Sequence, residues 1–460
     1  MARGYGASGN WRKSMSLRWP FRSMIVVFAA CTVVAIAAWL VNRPIFDQSL
    51  IDDLQALKTA RAPALERNAY LVALGFLAAD RMDPESAGKA IVAALNARYE
   101  TGQPIALSSE ERDSLLGTNG GPGTWQSRLK TLKCVARVEL DCADRLIAEV
   151  ASVDLSEPRL DVLSGRLEIL LHQERLDEGQ RRDIHTPIAA YGAIRDIARV
   201  SLARSFRKDS DAAFIARALD HLRFWKLVLR NGQALASKMI AVAAIQDTLD
   251  FLSALMRERA LTPADAGVIE HSVTPMTPQE LDISDAFLTE ARNQVLSDDL
   301  PLAEGASRID RLMILRNETL NDYFVSVIQP ILLRAKLSPA EFHRAGGNRP
   351  LNLYARHDAP LLFNRGGYRL VHHMEWDPEQ FLARTQDQNG RLVLVALQAE
   401  LEKDLGLNRE VIVNSSSHRN PYTGEPMRLD AKSGVIGFQC MHTAYHPPAQ
   451  PDQCAIRIDL

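Results

Sequence analysis

The chain has 460 residues, 47% of them hydrophobic and 24% charged, which is an ordinary globular composition with enough length to bury a sizeable core. Its 54 Lys and Arg residues nearly balance its 56 Asp and Glu residues, and the net charge is −2. This balance provides no basic field for a phosphate backbone, so we expect no nucleic-acid partner.

The first predicted element is an apolar run at residues 24–41, which contains no charged side chain. As a helix it reaches about 27 Å at ~1.5 Å per residue, close to the ~30 Å hydrocarbon core of a bilayer. Residues 1–23 contain no acid, and their cations are Arg3, Arg12, Lys13, Arg18 and Arg22. Because cationic flanks favour the cytoplasmic side, we predict a bacterial inner-membrane protein with a cytoplasmic tail, one transmembrane helix at 24–41 and a periplasmic bulk.

Two other interpretations of this run stay open. A cleaved signal peptide would use Ala35 and Ala37 as its small-residue site, although the apolar run continues beyond them. A lipoprotein would use Cys31 as its lipidated residue, although the residues after Cys31 are as apolar as those before it. The lipid bilayer is the first expected partner in the anchored form.

The remaining cysteines form two local pairs. Cys134 and Cys142 are close in sequence, and so are Cys440 and Cys454. An even number at short separations in an oxidising compartment predicts two disulfides, Cys134–Cys142 and Cys440–Cys454. Free thiols or a four-cysteine zinc site are the alternatives, but the spacings lack the two-residue knuckle of structural zinc sites.

Residues 42–345 are predicted to form a helical periplasmic domain of packed helical hairpins. Asp83 followed by Pro84 marks a helix start, as N-cap and first-turn residue. The pattern is helical almost throughout 159–296, broken at Asn231 and Gly232, and its Ala-rich and Leu-rich part at 234–244 predicts an interior helix. Pro330 is expected to interrupt a later helical pair at 301–336.

The last third of the chain changes character. Residues 346–405 are predicted as a loop-rich segment followed by a helix that starts at Asp377 and Pro378. Residues 406–460 are predicted as a small β meander closed by a disulfide, with short β-prone runs at 411–413, 427–430, 435–438 and 455–459. The expected fold class is therefore mainly α, with a small β-rich C-terminal module.

Three pieces of sequence carry a resemblance: NAYLVALGF to DPESAG at 68–88, the cysteine pair at 134 and 142, and the helical run at 224–255. Together they resemble a group of uncharacterised single-pass inner-membrane proteins of Gram-negative bacteria with large periplasmic domains. Separately, residues 420–438 are similar to a C-terminal Asp-Pro-x-x-Gly-x-Pro-Leu-Arg-Tyr element of exported bacterial proteins. The departures from that element are Asn420, Met427 and Leu429. Neither resemblance implies catalytic residues.

Three patterns could carry chemistry, and each has a simpler interpretation. His442 and His446 have a metal-ligand spacing, but two prolines follow and no acid lies between them. Ser415, Ser416 and Ser417 precede His418 without a glycine-flanked elbow, which favours a polar turn. Glu375 and Asp377 could form a carboxylate pair, but Asp377 already suits a helix cap. We therefore expect no catalytic, cofactor-binding or metal-binding residues.

The resulting functional expectation is a non-enzymatic binding or scaffold protein of the cell envelope, with an envelope protein as its partner. We predict its contact surface in the C-terminal module, at Arg428, Tyr445 and His446, where turn chemistry presents strands and a loop. The alternative is an envelope hydrolase acting on peptidoglycan or lipid, with its site in the His-rich and Gly-rich residues 343–378.

Overall fold

The computed structural model describes residues 18–41, 63–101, 107–118, 129, 142–152, 157–179, 188–296, 319, 323–346, 378–404, 408–441 and 454–458. The chain divides into two compact units. The first holds Met1–Phe46, Pro301–Tyr323 and His357–Met374, and the second holds Asp47–Leu300, Phe324–Arg356 and Glu375–Leu460. The architecture is mainly helical with a small antiparallel sheet near the C-terminus, which confirms the predicted fold class at that level.

Helix α1, Arg18–Val41, belongs to the first unit and contains the predicted apolar run. Its apolar side chains are exposed, for example Met24 at 66% and Phe28 at 75%. Thr32 Oγ1 donates a hydrogen bond to the carbonyl oxygen of Phe28 at 2.8 Å, so the hydroxyl is satisfied within the helix itself. The helix therefore presents an apolar surface along the described residues 24–36.

The second unit contains the remaining described helices. In chain order they are α2 Ala69–Leu74, α3 Pro84–Glu100, α4 Ser109–Leu116, α5 Cys142–Ser152, α6 Pro158–Leu171, α7 Tyr191–Lys208, α8 Asp211–Asn231, α9 Leu235–Glu258, α10 Pro263–Ser272, α11 Pro278–Leu281, α12 Ser284–Leu296, α13 Gln329–Ala335, α14 Pro339–Arg344, α15 Pro378–Lys403 and α16 Arg409–Ser415. Neighbours in sequence pack as pairs, notably α2 with α3 and α8 with α9, as the helical-hairpin pattern predicts.

Capping residues determine where several of these helices begin. Asp83 Oδ2 accepts a hydrogen bond from Ser86 N at 2.7 Å and Pro84 is the first residue of α3, as predicted. Thr262 caps α10 in the same way. These starts satisfy amide groups that would otherwise lack acceptors within the helix.

Helix α9 lies at the centre of the second unit, where it contacts α5, α7, α8, α12 and α15. By length and composition it could cross a membrane, but 78% of its most apolar window is buried inside the protein. Ile245, Leu249 and Leu252 are all buried along it. The predicted interior helix beginning near residue 234 is thus confirmed.

Charged residues on α9 join it to its neighbours. Arg195 on α7 donates to both carboxylate oxygens of Asp247, at 2.6 and 3.0 Å. Asp250 lies 3.8 Å from Arg391 on α15. Burial raises the pKa of Asp250 to about 7, and the charge of Arg391 offsets only part of that effect. The core therefore contains ionic contacts between helices as well as apolar packing.

Pro330 interrupts the helix that contains it. A π-helical turn, Phe324–Ile328, directly precedes α13, whose second residue is Pro330. Because proline cannot donate the backbone hydrogen bond of a regular helix, the change of winding is expected there. Helix α15 starts at Pro378, as predicted, and ends at Lys403. Most of the predicted loop-rich segment, residues 347–377, lies outside the described residues.

The described part of the C-terminal sheet has three strands in the order β1 Arg428–Asp430, β2 Val435–Gly437 and β3 Ala455–Arg457. All pairs are antiparallel, and Ile436 lies opposite Leu429 and Ile456. Three of the four predicted strands are confirmed. The meander stays small, as expected.

The predicted strand at 411–413 is wrong, because those residues belong to helix α16. Their β-branched side chains favoured a strand. Asn408 instead caps a helix by accepting a hydrogen bond from Glu410 N at 2.9 Å. Ile412 and Val413 are buried, and α16 packs on α15, so tertiary contact outweighs local propensity.

The C-terminal sheet packs against the helical body, with β3 on α9 and α15. Tyr422 Oη and Met441 N both donate to Oδ1 of Asp387 on α15, at 2.6 and 2.8 Å. The ring of Phe438 lies over Gly390, where an added Cβ would come within 2.2 Å of the ring. The described residues of the C-terminal module, 408–441 and 454–458, therefore share a core with α15.

Disulfide chemistry matches the sequence wherever it is described. Cys440 and Cys454 form the predicted disulfide beside the sheet. Cys142, the first residue of α5, is also disulfide-bonded, and Cys134, its predicted partner, lies outside the described residues. Cys31 on α1 is free and exposed.

Candidate functional site

The outer face of α8 carries three cations in a row. Arg223, Lys226 and Arg230 are three and four residues apart, a spacing that places them along one side of a helix. The opposite side holds buried Trp225, Val228 and other residues that pack on neighbouring helices. The helix is therefore fixed by its apolar side while it presents a basic row outwards.

A groove of about 540 Å³ runs along this basic row. Its walls are the residues that follow α6, the outer face of α8, and the connection between α10 and α11. The volume falls within the ~300–1,000 Å³ typical of ligand pockets. We name it the α8 groove, and the polar and apolar residues that line it include Glu174, Leu219, Leu222, Arg223, Lys226, Arg230, Thr274 and Glu280.

Two of the three cations in the α8 groove are held by the protein. Arg223 donates to the carbonyl oxygen of Leu171 at 3.0 Å and lies 3.2 Å from Asp220. Lys226 Nζ donates to the carbonyl oxygen of Thr274 at 2.7 Å. Burial lowers the pKa of Lys226, with the charge of Glu280 acting in the opposite direction.

Arg230, by contrast, is exposed and makes no side-chain hydrogen bond or ion pair within the described part of the chain. Glu174, across the groove, is likewise exposed and unpaired among the described residues. Among the described residues, the α8 groove therefore offers one free cation, one free carboxylate and several leucine side chains. Such a lining suits a ligand that carries both charges and some apolar surface.

The predicted contact surface in the C-terminal module is described only in part. Arg428 is exposed at the start of β1, which lies at the edge of the sheet formed by the described strands, and it pairs in register with Gly437. Tyr445 and His446 lie outside the described residues. Along β1, Arg428 and Asp430 are exposed and Leu429 between them is half-buried, so the side chains alternate between the two faces of the sheet.

Of the other sequence candidates, His442, Glu375 and Asp377 lie outside the described residues, as does most of the alternative hydrolase site at 343–378. His343, at its described end, stacks on Tyr422 with ring centroids 5.8 Å apart. It is thus part of the contact between α14 and the C-terminal module.

Ser416 and His418 are brought together with acids that the sequence did not associate with them. Ser416 Oγ donates to Glu400 on α15, and His418 lies near both Glu400 and Glu270 on α10. The sequence contains no signal for this cluster, because its members are far apart along the chain. The basic row on α8 was not predicted either, although cations at helical spacing beside an apolar stripe could have indicated it.

Comparison with known proteins adds no relative. A scan against models of protein families found no match, and searches of curated proteins and of solved structures found none either.

Proposed function

We propose that this chain is a membrane-anchored binding protein of the bacterial cell envelope, with α1 in the inner membrane, its N-terminus in the cytoplasm and its bulk in the periplasm. The exposed apolar side chains of α1 support the anchor, and the cations that precede the apolar run at 24–41 support this orientation. The Cys440–Cys454 disulfide supports an oxidising compartment.

The binding function rests on one observation, the α8 groove with its unpaired Arg230. We infer that it holds a peptide segment of an envelope protein. A peptide offers a carboxylate for Arg230, an amine for Glu174 and apolar side chains for Leu219 and Leu222. The edge of β1 with Arg428 is the second candidate surface, since an exposed edge strand can pair with another chain.

A crosslinking experiment tests the groove and compares the two surfaces. With a photoreactive amino acid in place of Leu219, irradiation of membranes should produce an adduct whose mass identifies a peptide. Arg230→Glu should abolish this adduct by charge reversal. Arg207→Glu, at an exposed Arg on α7 without a described partner, should leave it unchanged.

The same experiment can contradict the groove proposal. An adduct that persists unchanged with Arg230→Glu would contradict the role of Arg230 in the groove. A chain that gives no adduct from position 219, but gives one when the photoreactive amino acid replaces Arg428, would move the contact to the C-terminal module.

Topology and redox state are tested separately. A reporter that is active only in the periplasm, fused after Leu460, should be active, and the full chain should sediment with membranes. Mass spectrometry of unreduced peptides should find Cys134 linked to Cys142. Free thiols in the purified protein, or an inactive reporter, would contradict the assigned compartment.

A further inference from the structure

Three metal-ligating side chains converge from three separate elements of the second unit. Glu270 comes from α10, Glu400 from α15, and His418 from the segment after α16. One ligand atom from each lies within 4.8 Å of the other two. This convergence depends on the packing of α10 and the C-terminal module on α15, so it is a product of the tertiary fold.

The distances between the donor atoms suit a small cation. His418 Nε2 lies 3.7 Å from Glu270 Oε1 and 4.0 Å from Glu400 Oε2. Zinc bonds of ~2.0–2.2 Å in a tetrahedron hold their donor atoms about 3.3–3.5 Å apart. Contraction of the two distances from His418 by about 0.3–0.6 Å, within the reach of side-chain rotation, would bring them to this spacing.

Outer hydrogen bonds orient the two carboxylates. Ser416 Oγ donates to Glu400 Oε2, and the same hydroxyl oxygen accepts a hydrogen bond from the backbone N–H of His418 at 2.9 Å. Lys403 Nζ donates to Glu270 Oε2 at 2.7 Å, which leaves Oε1 turned towards His418. Metal ligands are commonly held by such second partners.

The charge of the cluster also favours a cation. The side chains of Glu270, Glu400 and His418 are only 16%, 21% and 20% exposed, so water compensates their charges poorly. Lys403 is the one cation hydrogen-bonded to the pair of carboxylates among the described residues.

We propose that Glu270, Glu400 and His418 form a binding site for one divalent transition-metal ion, for which Zn²⁺ is the best fit. Two carboxylates and one imidazole match the ligands that zinc takes in proteins, and the partial exposure leaves a fourth position for water. The ion would link the segment after α16 to α10 and α15. This proposal is independent of ligand binding in the α8 groove.

The experiment uses the full chain without an affinity tag, solubilised in detergent and freed of metal by chelation. Titration with Co²⁺ should give a saturable visible absorption spectrum with one ion per chain, and Zn²⁺ should displace it. Zn²⁺ should also raise the midpoint of thermal unfolding, since an ion that binds only the folded state stabilises it.

Variants identify the ligands. His418→Ala, Glu270→Gln and Glu400→Gln should each weaken binding by more than tenfold, by direct loss of a ligand or its charge. Ser416→Ala should weaken binding by about 10–100-fold through loss of orientation. His271→Ala removes an exposed ring beside Glu270, and this variant should bind the metal ion as tightly as the parent chain.

Two results would overturn the site. The first is a parent chain that shows no Co²⁺ spectrum and no Zn²⁺ effect on unfolding. The second is binding that survives His418→Ala but is lost when His442 and His446 are both changed to Ala. Far-ultraviolet circular dichroism of every variant separates loss of a ligand from loss of the fold, and the conservative Glu270→Gln keeps the test valid if His418→Ala is unfolded.

Discussion

Helices α1 and α9 are both 24 residues long and both apolar, yet they have opposite surroundings. The apolar side chains of α1 are exposed, whereas most of α9 is buried among other helices. The difference lies in their polar residues. Buried Lys238 on α9 donates to the carbonyl oxygen of Leu229 on α8, and buried Asp247 accepts from Arg195 on α7. Thr32 on α1 instead donates to a carbonyl oxygen of its own helix.

The comparison shows how an apolar sequence can indicate its solvent. A helix in lipid must satisfy its polar groups by itself, because the bilayer offers no partners. A helix in a protein core can carry ionisable groups wherever neighbouring elements supply partners, as Arg195 does for Asp247. Charged residues within an apolar run therefore point to a packed protein interior.

The largest expected effect is the loss of folding stability when a charged residue is placed on the buried side of α9. Leu249 is 2% exposed, so Leu249→Asp buries a carboxylate without a partner. We expect a loss of more than about 4 kcal/mol, enough to unfold most domains. Thermal unfolding followed by circular dichroism measures it, and a native-like transition would show that α9 is not a core helix.

The matched change in α1 should behave differently. Val33→Asp should leave the thermal transition of the second unit unchanged, because Val33 is exposed. If α1 spans the bilayer, the carboxylate costs about 2.5–3.5 kcal/mol at mid-membrane, and the fraction of protein that sediments with membranes should fall. Unchanged sedimentation would argue against α1 as the anchor.

A smaller effect concerns the ionisable residue Asp250 on α9. Its pKa is about 7 in the folded chain against 3.8 for an unperturbed Asp, so between those values the folded state holds more protons than the unfolded state. The free energy of unfolding should therefore fall by roughly 1–3 kcal/mol as the pH rises from 4 to 7. Above pH 7 this contribution should level off.

The variant Asp250→Asn cannot titrate and should lack this decline. Denaturant unfolding at a series of pH values measures the difference between the parent chain and the variant, and Asp161→Asn, at an exposed residue, is the control. A parent chain that gains stability relative to Asp250→Asn across this window would show that Arg391 keeps Asp250 ionised.

The smallest effect is expected at Cys31 on α1. Cys31 is free and exposed, so Cys31→Ala should change the free energy of unfolding by no more than about 0.5 kcal/mol. The fraction of protein that sediments with membranes should not change. Intact mass measurement should find no lipid on the parent chain. A lipid adduct, or release of the variant from membranes, would favour the lipoprotein interpretation instead.

Local chemistry accounts for the parts of the fold that the sequence predicted. Asp83 with Pro84 starts α3, Asn231 with Gly232 ends α8, and Pro378 starts α15, because each acts on the backbone next to it. The run at 411–413 failed for a tertiary reason. Its valines and isoleucine have strand propensity, but packing on α15 and the cap at Asn408 favour a helix.

The candidate sites divide in the same way. The basic row on α8 follows from helical spacing alone, so a sequence can show it. The Glu270, Glu400 and His418 cluster needs three elements to meet, and no spacing in the chain encodes that meeting. The serines before His418 indicated a polar turn, and their role as partners of Glu400 emerged only from the packing.

The substitution Gly390→Ala should stabilise α15 as an isolated helix and destabilise the folded chain. In an isolated peptide of α15, alanine would favour the helix over glycine by about 0.5–1 kcal/mol. In the whole chain the added methyl group would overlap the ring of Phe438. The substitution therefore increases helix propensity but disrupts the packing of Phe438 on α15. Gly390 thus lowers the intrinsic helix propensity of α15 and allows the residues next to β2 to pack closely on it. The free-energy change of Gly390→Ala in the whole chain, minus that in the peptide, measures how much this packing contributes to stability.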